Sequence, residues 1–274
     1  MSVFERISCH KFVEVNGYAY FSNWFYNGMF KVEIKTGKTT FLGSFEGEKL
    51  CEINIHKEIF LRDGKIYFCP RRGGRIHIYN LADQSQCSVS IRKSDKEFFV
   101  TDNVFLEDNL VYFIPKQKDF SVRKLDLKSL TVTEESRAFN YQGSSLTENK
   151  EVFPNPGLIE KYRIERAEFF SWNQIYSKIW YGFLPLGRQL LKYTEGRNRI
   201  EKIPLTVING EVLNEYLRKV REEAFNEELI VENKYKLDIQ DFLDSMKMTE
   251  FSKSDGLNGN CRIGKKIWNI LCND

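Results

Sequence analysis

The chain has 274 residues, enough for one large domain or two small ones. It carries 41 Lys and Arg against 38 Asp and Glu, a net charge of +3, and it has no run of five or more basic residues. This near balance argues against a nucleic-acid partner. No apolar run of 18 residues occurs, so neither a transmembrane helix nor a membrane partner is expected.

The N-terminal stretch gives an expectation about compartment. Residues 1–11 hold no apolar segment of the signal-peptide type, and Glu5 comes early. The six cysteines are scattered without a C-x-x-C pair, which is typical of buried apolar side chains or free thiols in a reducing compartment. We therefore expect a cytoplasmic protein. Residues 1–11 could also add a strand that closes a ring.

One phrase recurs along the chain and predicts a repeated strand pair. In its clearest copy, residues 62–68, an Asp63-Gly64 turn precedes an apolar strand, and residues 78–83 answer with a second strand. The other copies are residues 15–21 answered by 31–37, residues 107–113 answered by 124–129, and a weaker fourth at 172–176 answered by 191–196.

A tyrosine stands at the same place in each copy, at Tyr20, Tyr67, Tyr112 and Tyr176. The first three lie roughly 45 residues apart, within the period of about 40 to 50 residues that four-stranded propeller blades show. The last interval is longer, which predicts an insertion or a degraded copy between residues 139 and 168.

The faces of the predicted strands indicate how the sheets are covered. Ile66 and Phe68 point to one face, and Tyr67 and Cys69 point to the other, so both faces are apolar. An ordinary hairpin sheet keeps one wet face, whereas this pattern requires cover on both. Stacked propeller blades and the layers of a sandwich both provide that cover, and the regular period favours blades.

These phrases resemble the β-propeller repeats of kelch-like, PQQ-like and NHL-like bacterial proteins, whose blades often read DG-x-apolar-Y-F followed by apolar-D-L-x-T-G. The resemblance covers about residues 12–205. It implies an all-β propeller over residues 1–205, built from repeats of about 45 residues with at least four blades. The WD dipeptide, the kelch double glycine in its usual place and the PQQ tryptophan motif are missing or unclear. No catalytic residue is therefore carried over.

After the last copy the period changes to that of a helix. Apolar residues from Val212 to Ala224 recur at helical spacing, and Asn209 is a predicted N-cap. A second helix is predicted from Asp238 and a short one over residues 264–271. We interpret residues 206–274 as a helical extension packed on the propeller. Residues 140–160 form a long predicted loop.

The motifs of common enzymes are missing from the sequence. His10, His56 and His77 stand at no metal-ligand spacing, and no nucleophile elbow, P-loop or H-E-x-x-H occurs. We therefore expect no metal, no cofactor and structural roles for the histidines. A pair of catalytic carboxylates, as in a glycosidase, stays open because Asp and Glu are numerous.

The candidate site comes from the phase of the repeat. Because the Tyr-Phe pairs of three copies are in phase, the residues that follow them should leave their strands at one common end. The candidates are Asn23, Trp24, Arg71, Arg72 and Lys116, with the less certain Trp180 in the fourth copy. An indole supplies a stacking face, a carboxamide supplies a donor and an acceptor, and the cations suit a carboxylate or phosphate. Local packing of the hairpin aromatics is the alternative.

Two functions follow for such a scaffold. The first is a non-catalytic propeller that binds a protein, peptide or glycan through loops at one end. The second is a carbohydrate-active enzyme, a glycoside hydrolase or lyase, on the same scaffold. The fold alone cannot choose between these functions, because function lies in the site. The low number of histidines and the missing catalytic motifs favour binding. A deep pocket with two facing carboxylates would favour the enzyme, and a flat aromatic mouth would favour the binder.

Overall fold

The protein is all-β in its first part and ends in a helix. The computed structural model describes residues 6–94, 97–136, 144–146, 172–184, 188–197 and 199–245. Within these ranges the strands form four sheets of four or five strands, followed by one helix. This confirms the all-β prediction. Most of the predicted loop at 140–160 and all of the segment 264–271 lie outside the described residues.

The first and second sheets match the first two predicted copies. The first sheet consists of β1 (Val13–Val15), β2 (Tyr18–Ser22), β3 (Met29–Glu33), β4 (Lys38–Gly43) and β18 (Thr206–Val207), which lies parallel to β4. The second sheet consists of β5 (His56–Arg62), β6 (Lys65–Pro70), β7 (Arg75–Asn80) and β8 (Gln86–Ser90). Except for β18, neighbouring strands run antiparallel.

The third and fourth sheets match the remaining copies. The third sheet consists of β9 (Thr101–Glu107), β10 (Leu110–Pro115), β11 (Val122–Asp126), β12 (Thr131–Glu135) and β13 (Ser144–Ser145), which pairs with β9. The fourth consists of β14 (Asn173–Tyr176), β15 (Ile179–Leu184), β16 (Gln189–Thr194) and β17 (Ile200–Pro204). The first strands of the second and third sheets begin at residues 56 and 101. Residues 51–55 and 98–100 are the linkers that lead into them.

A two-residue hairpin joins the first two strands of every sheet. In the first sheet the turn is Asn16-Gly17, with φ of 50° and 84°, and in the second it is Asp63-Gly64, with φ of 48° and 71°. Positive φ at both central residues is the type I′ geometry, which matches the twist of the flanking strands and which Asn-Gly and Asp-Gly favour. These dipeptides therefore fix the register of the two hairpins.

The hairpins correct the phase of the fourth copy. Tyr20, Tyr67 and Tyr112 are each the third residue of the second strand of their sheets. In the fourth sheet that place belongs to Tyr181, whereas Tyr176 ends the preceding strand. The sequence phase at Tyr176 was wrong because the Ile175-Tyr176 pair at the end of this strand resembles the Ile-Tyr pair of the second strand in the second copy.

The second strands are buried on both faces, as their sequence predicted. Phe21, Phe68 and Phe113 are completely buried, and most of their neighbours on the opposite face are buried as well. The last antiparallel strands, β8 and β12, are largely exposed and carry Ser, Gln, Thr and Glu. The second and third sheets therefore run from a covered second strand to a solvated edge.

Three apolar clusters join the sheets in the order fourth, first, second, third. Phe21 packs against Phe183 of the fourth sheet, with ring centroids 4.5 Å apart. Phe45, which follows β4, lies 4.9 Å from Phe68 of the second sheet. A further cluster unites apolar side chains of β6, β7, β10 and β11, and so joins the second and third sheets. The face-to-face packing of successive sheets therefore buries both faces of the second strands.

The described part of the N-terminal segment, residues 6–11, forms no strand, in contrast to the expectation of a closing strand. It nevertheless links two sheets. The Ser8 hydroxyl donates to the carbonyl of Phe183 at 3.2 Å, and Asn173 donates to the carbonyl of His10 at 3.0 Å. The Trp24 N–H donates to the carbonyl of Ser8 at 2.8 Å. The segment therefore bridges the first and fourth sheets through isolated hydrogen bonds.

The C-terminal helix docks through the predicted face. In α1 (Gly210–Ser245), Leu213, Leu217 and Val220 are buried in the cluster of the first and fourth sheets. The Tyr216 hydroxyl donates to the carbonyl of Asn27. The helix is continuous past residue 238, so no separate second helix begins there. The chain divides into two compact units, residues 1–224 and 225–274, with the division inside α1. No helix in the described ranges is long and apolar enough to span a membrane.

Asn209 anchors the start of α1 in a way that the sequence did not predict. Its carbonyl accepts the N–H of Leu213, as the residue before a helix does. Its side chain does not cap the helix. The oxygen accepts from the Phe41 N–H at 3.0 Å, and the amide nitrogen donates to the Phe41 carbonyl at 2.8 Å. The carboxamide thus fastens the helix start to β4.

Candidate functional site

Trp24, Arg71 and Lys116 occupy equivalent positions in three successive sheets. Each follows the second strand, and each N–H donates to a linker that leads into the same sheet. The acceptors are the carbonyls of Ser8 at 2.8 Å, Ile55 at 2.6 Å and Val100 at 2.7 Å. The repeat therefore places these three backbones at one common end of their sheets.

The same positions tie each sheet to the next. The Trp24 carbonyl accepts from the Asn54 N–H at 2.8 Å, and the Arg71 carbonyl accepts from the Thr101 N–H at 2.9 Å. We call the surface formed by residues 23–24, 53–55, 71–73, 98–101 and 116 the linker end. Its geometry follows from the backbone, so its side chains are free to vary between sheets.

Trp24 and Arg71 come together at the linker end although they belong to different sheets. The Arg71 guanidinium carbon lies 5.6 Å from the Trp24 ring centroid, a cation–π arrangement. In the amide orientation that satisfies both groups, the Asn54 oxygen accepts from Arg71 Nη1 at 2.7 Å and from Nε at 3.2 Å. His10 meets the indole edge-on at 4.1 Å between centroids. The guanidinium is therefore held in one orientation before any ligand arrives.

The other predicted site residues have different surroundings. Asn23 is buried, and its carboxamide accepts from the Ser8 N–H at 2.9 Å and donates to the Arg6 carbonyl at 3.2 Å. That amide serves the fold. Arg72 and Lys116 are exposed at the linker end. The structure thus brings Trp24 and Arg71 into direct contact and leaves Arg72 and Lys116 as separate surface cations.

Trp180 is not the equivalent of Trp24. It is the second residue of β15, it is 9% exposed, and it packs in a cluster of the fourth sheet. By the corrected phase the equivalent position is residue 185, which lies outside the described residues.

The space beneath Trp24 is small. It measures about 10 Å³, and His10, Ser22, Asn54 and Lys57 are among the side chains that line it. A single water molecule needs about this much room. A ligand of the linker end must therefore rest on the surface rather than enter a deep pocket.

The charge at the linker end is mainly positive. Arg71, Arg72 and Lys116 form no ion pair with any other described residue. Burial and the nearby charge of Arg72 lower the pKa of Arg71 from its usual value. The negative charge of Asp102 offsets part of this decrease. Burial, helped by Arg71, lowers the pKa of His10 to about 4, so that ring is neutral at pH 7.

Glu58 beside this surface carries only part of a negative charge at pH 7. Burial raises the pKa of its carboxyl to about 7, in spite of Lys11 and Lys57 nearby. The Lys57 ammonium donates to the backbone carbonyl of Asp102. A carboxylate on a ligand would therefore meet cations that few local anions neutralise.

A buried chain of hydrogen bonds joins Ser22, His56 and His77, and sequence reasoning missed it. His56 Nδ1 lies 2.8 Å from Ser22 Oγ, His56 Nε2 lies 2.9 Å from His77 Nδ1, and His77 Nε2 lies 3.0 Å from the Glu46 carbonyl. A carbonyl only accepts, so His77 Nε2 carries a proton. His56 Nε2 then donates to His77, and the Ser22 hydroxyl donates to His56 Nδ1.

This chain has the order of a nucleophile, a base and an orienting group. However, Ser22 is 8% exposed and borders only the small space beneath Trp24. Burial and the neighbouring His77 lower the pKa of His56 well below its usual value, which makes it a weak base. The arrangement therefore fits a structural tie. The signal for it was that β5 and β7 flank β6 and each carries a histidine.

A larger cleft lies between the first and fourth sheets. Its volume is about 370 Å³, and residues of both sheets line it, among them Lys35, Tyr176, Lys192 and Glu201. It borders Gly17, at the opposite end of β2 from Trp24. Sequence reasoning missed this cleft because the phase error at Tyr176 hid the position of Tyr181.

The described residues contain no group of three or more His, Cys, Asp and Glu side chains that could hold a metal ion. Among the cysteines, Cys9 and Cys69 are buried thiols, and burial raises the pKa of both. Cys87 is exposed.

Comparison with solved structures finds 155 similar chains, one of which is described below. No protein-family model matches the chain, and no curated protein matches it. The extracellular domain of a putative one-component system from B. thetaiotaomicron is similar, with a TM-score of 0.32 and 15% sequence identity. The alignment covers 75% of this chain and 23% of that chain, so this chain spans less than a quarter of its neighbour's length.

Proposed function

We propose that the four sheets are blades of a β-propeller and that the protein is a non-catalytic binding module. Its ligand, a protein, peptide or glycan, would dock at the linker end. The propeller is supported by the repeated hairpins, the face-to-face packing of successive sheets and the backbone ties at equivalent positions. The binding function rests on one observation: the Arg71 guanidinium is held over Trp24 and oriented by Asn54 at a position that repeats between sheets.

The surroundings of Arg71 favour an acidic protein or peptide within that range. A preoriented guanidinium loses little side-chain entropy when it binds a carboxylate. Ile53 is 44% exposed and Phe98 is 64% exposed, and the two occupy equivalent places in the linkers of successive sheets. Apolar side chains beside exposed cations are typical of surfaces that bind another polypeptide.

The catalytic alternative has less support. A glycoside hydrolase needs two carboxyl groups that face each other across room for a sugar. The space beneath Trp24 measures about 10 Å³, and no carboxylate belongs to its described lining. The linker end therefore favours binding over hydrolysis or elimination of a glycan.

The test uses Trp24→Ala and Arg71→Ala, with Lys128→Ala as the matched control because Lys128 is an exposed cation in the β11–β12 turn. Wild type and variants with unchanged melting are screened on arrays of peptides and glycans. We expect a ligand whose affinity falls about tenfold or more in both site variants, a loss of about 1.4 kcal/mol, and stays the same in the control. If wild type binds a ligand that neither site variant weakens, the site lies elsewhere, and residues 140–160 become the next candidate.

A further inference from the structure

The cleft between the first and fourth sheets contains a row of aligned polar side chains. Tyr181 on β15 stands directly opposite Lys192 on β16, and Lys192 stands opposite Glu201 on β17. The Lys192 ammonium lies 3.6 Å from Glu201 Oε2. Because cross-strand partners project from the same face, the three side chains form one strip across the sheet.

The strip lies on the face that packs against the first sheet. Two residues further along β15, Phe183 stands opposite Leu190, and Leu190 stands opposite Ile203. All three belong to the apolar cluster that the fourth sheet shares with the first, or pack against it. Side chains two residues apart share a face, so the polar strip lies on the same face as this apolar contact.

The first sheet supplies the opposite wall at this point. Gly17 belongs to the β1–β2 hairpin, and Ile34 and Lys35 belong to the β3–β4 turn. A glycine at the hairpin tip adds no side chain, and a Cβ there would meet nothing within 4 Å. The cleft between these walls measures about 370 Å³.

The polar groups of the cleft balance in charge. Lys35 and Lys192 oppose Glu201 in the lining and Glu14 close by, whose Oε1 accepts from the Gly17 N–H at 2.5 Å. The Tyr181 hydroxyl is available as a donor because burial, with the neighbouring Tyr176, raises its pKa to about 12. Tyr176 itself is 44% exposed, which leaves part of its ring open at the rim.

We propose that this cleft is a second binding site and that it takes a neutral, polyhydroxylated small molecule, a sugar of one or two rings. A volume of about 370 Å³ falls within the range of about 300 to 1,000 Å³ typical of small-molecule sites. Balanced charges favour a neutral ligand over an ion. An apolar ligand would cover Lys192 and Glu201 without hydrogen-bonding them, which is unfavourable.

The hydroxyl groups of a sugar can both donate hydrogen bonds to this lining and accept hydrogen bonds from it. A sugar hydroxyl can donate to Glu201 and accept from Lys192 or Tyr181. The ring of Tyr176 offers an apolar surface with a polar end, which suits the mixed surface of a sugar. The proposal is independent of the linker end, since the cleft and Trp24 lie at opposite ends of β2.

The experiment is saturation-transfer NMR on the full chain with glucose, galactose, mannose, N-acetylglucosamine, cellobiose and lactose as probes. Glutamate and lysine serve as charged comparison probes. We expect saturation transfer to at least one sugar with a dissociation constant in the region of about 1 mM, and none to the amino acids. Absence of transfer to every sugar up to about 10 mM would overturn the proposal, and so would tighter binding of either amino acid.

Variants then locate the site. Tyr176→Ala and Glu201→Gln should each weaken sugar binding about tenfold, and Tyr176→Phe, which keeps the ring, should retain most of it. Lys128→Ala is the control and should bind like the wild type. Because Tyr176→Phe and Glu201→Gln conserve size, they remain informative if Tyr176→Ala fails to fold. Sugar binding that neither Tyr176→Ala nor Glu201→Gln changes would contradict the assignment to the cleft.

Discussion

At equivalent places in two sheets, a buried polar side chain donates a hydrogen bond to the carbonyl of a linker between sheets. His77 stands opposite Phe68, and Arg123 stands opposite Phe113. His77 meets the carbonyl of Glu46 at 3.0 Å, and Arg123 Nε donates to the carbonyl of Ile91 at 3.1 Å. A buried carbonyl of a linker between sheets needs a donor, and each sheet supplies a different side chain for it.

The paired histidines predict how stability depends on pH. Burial lowers the pKa of His77 to about 4 and that of His56 below its usual value of 6.5. Between these values the unfolded chain binds more protons than the folded chain, so stability is present above pH 6.5 and is lost as the pH falls toward 4. Replacing His77 by Gln removes one titrating group. Between pH 7 and pH 4.5 the free energy of unfolding of His77→Gln should therefore decrease by less than that of the wild type, with a difference on the order of 2 kcal/mol.

Urea denaturation at the two pH values measures this difference. Glu58 acts in the opposite direction, since its folded pKa of about 7 lies above the unfolded value of 4.5 and its contribution is lost as the pH rises through 7. Both proteins contain Glu58, so the comparison cancels its effect. Equal losses of stability in wild type and His77→Gln would show that the histidine pair does not govern the acid limb.

At the scale of single residues, the sequence predicted where a residue lies in its sheet better than it predicted which side chains the residue contacts. The phase of the Tyr-Phe pairs located Trp24 and Arg71 at one end because backbone geometry repeats with the strands. It did not predict Asn54 as the group that orients Arg71, nor the use of Asn23 inside the fold. Such contacts join side chains from different sheets, and no local pattern encodes them.

At the scale of elements, α1 depends on one apolar face. Leu217 is 2% exposed and packs in the core of the first and fourth sheets, whereas Val212 on the same helix is 57% exposed. Leu217→Asp would bury a charge without a partner, so we expect a loss of about 3 kcal/mol or more in the free energy of unfolding. Val212→Asp makes a comparable change in solvent and should stay within about 0.5 kcal/mol.

Thermal and urea unfolding of the two variants measure this contrast. An unchanged melting temperature for Leu217→Asp would mean that α1 is not docked at that face. The docking itself was predictable, because helical spacing of large apolar residues points to one partner surface. The continuity of α1 past residue 238 was not predictable, since the spacing of its apolar residues changes there although the backbone continues.

Registers and turns account for most of what the sequence could predict. Asn-Gly and Asp-Gly between apolar runs fix two hairpins locally, and the third copy has Asp108-Asn109 in its turn. All three copies were located correctly. The fourth copy has Ser177-Lys178 in its turn, where only Lys178 has a positive φ, of 65°. Without an Asp, Asn or Gly in this turn, the phase moved from Tyr181 to Tyr176. The cleft beside Tyr181, which depends on the packing of two sheets, could not be located from the sequence.

At the scale of the whole molecule, the packing order raises the question of ring closure. The fourth sheet packs on the first, the first on the second, and the second on the third. The return of β18 to β4 and the bridge made by Ser8 both join the end of the repeat region to its beginning. A four-bladed propeller requires, in addition, that the third and fourth sheets be neighbours.

Double electron–electron resonance tests this requirement most directly. Spin labels in a cysteine-free background that melts like the wild type would be placed on exposed turns between third and last antiparallel strands. One pair, Lys35→Cys with Ala82→Cys, spans the first and second sheets, and the other, Lys128→Cys with Glu195→Cys, spans the third and fourth. A closed ring predicts similar distances for the two pairs. A markedly longer distance between the third and fourth sheets would indicate an open row and contradict the propeller.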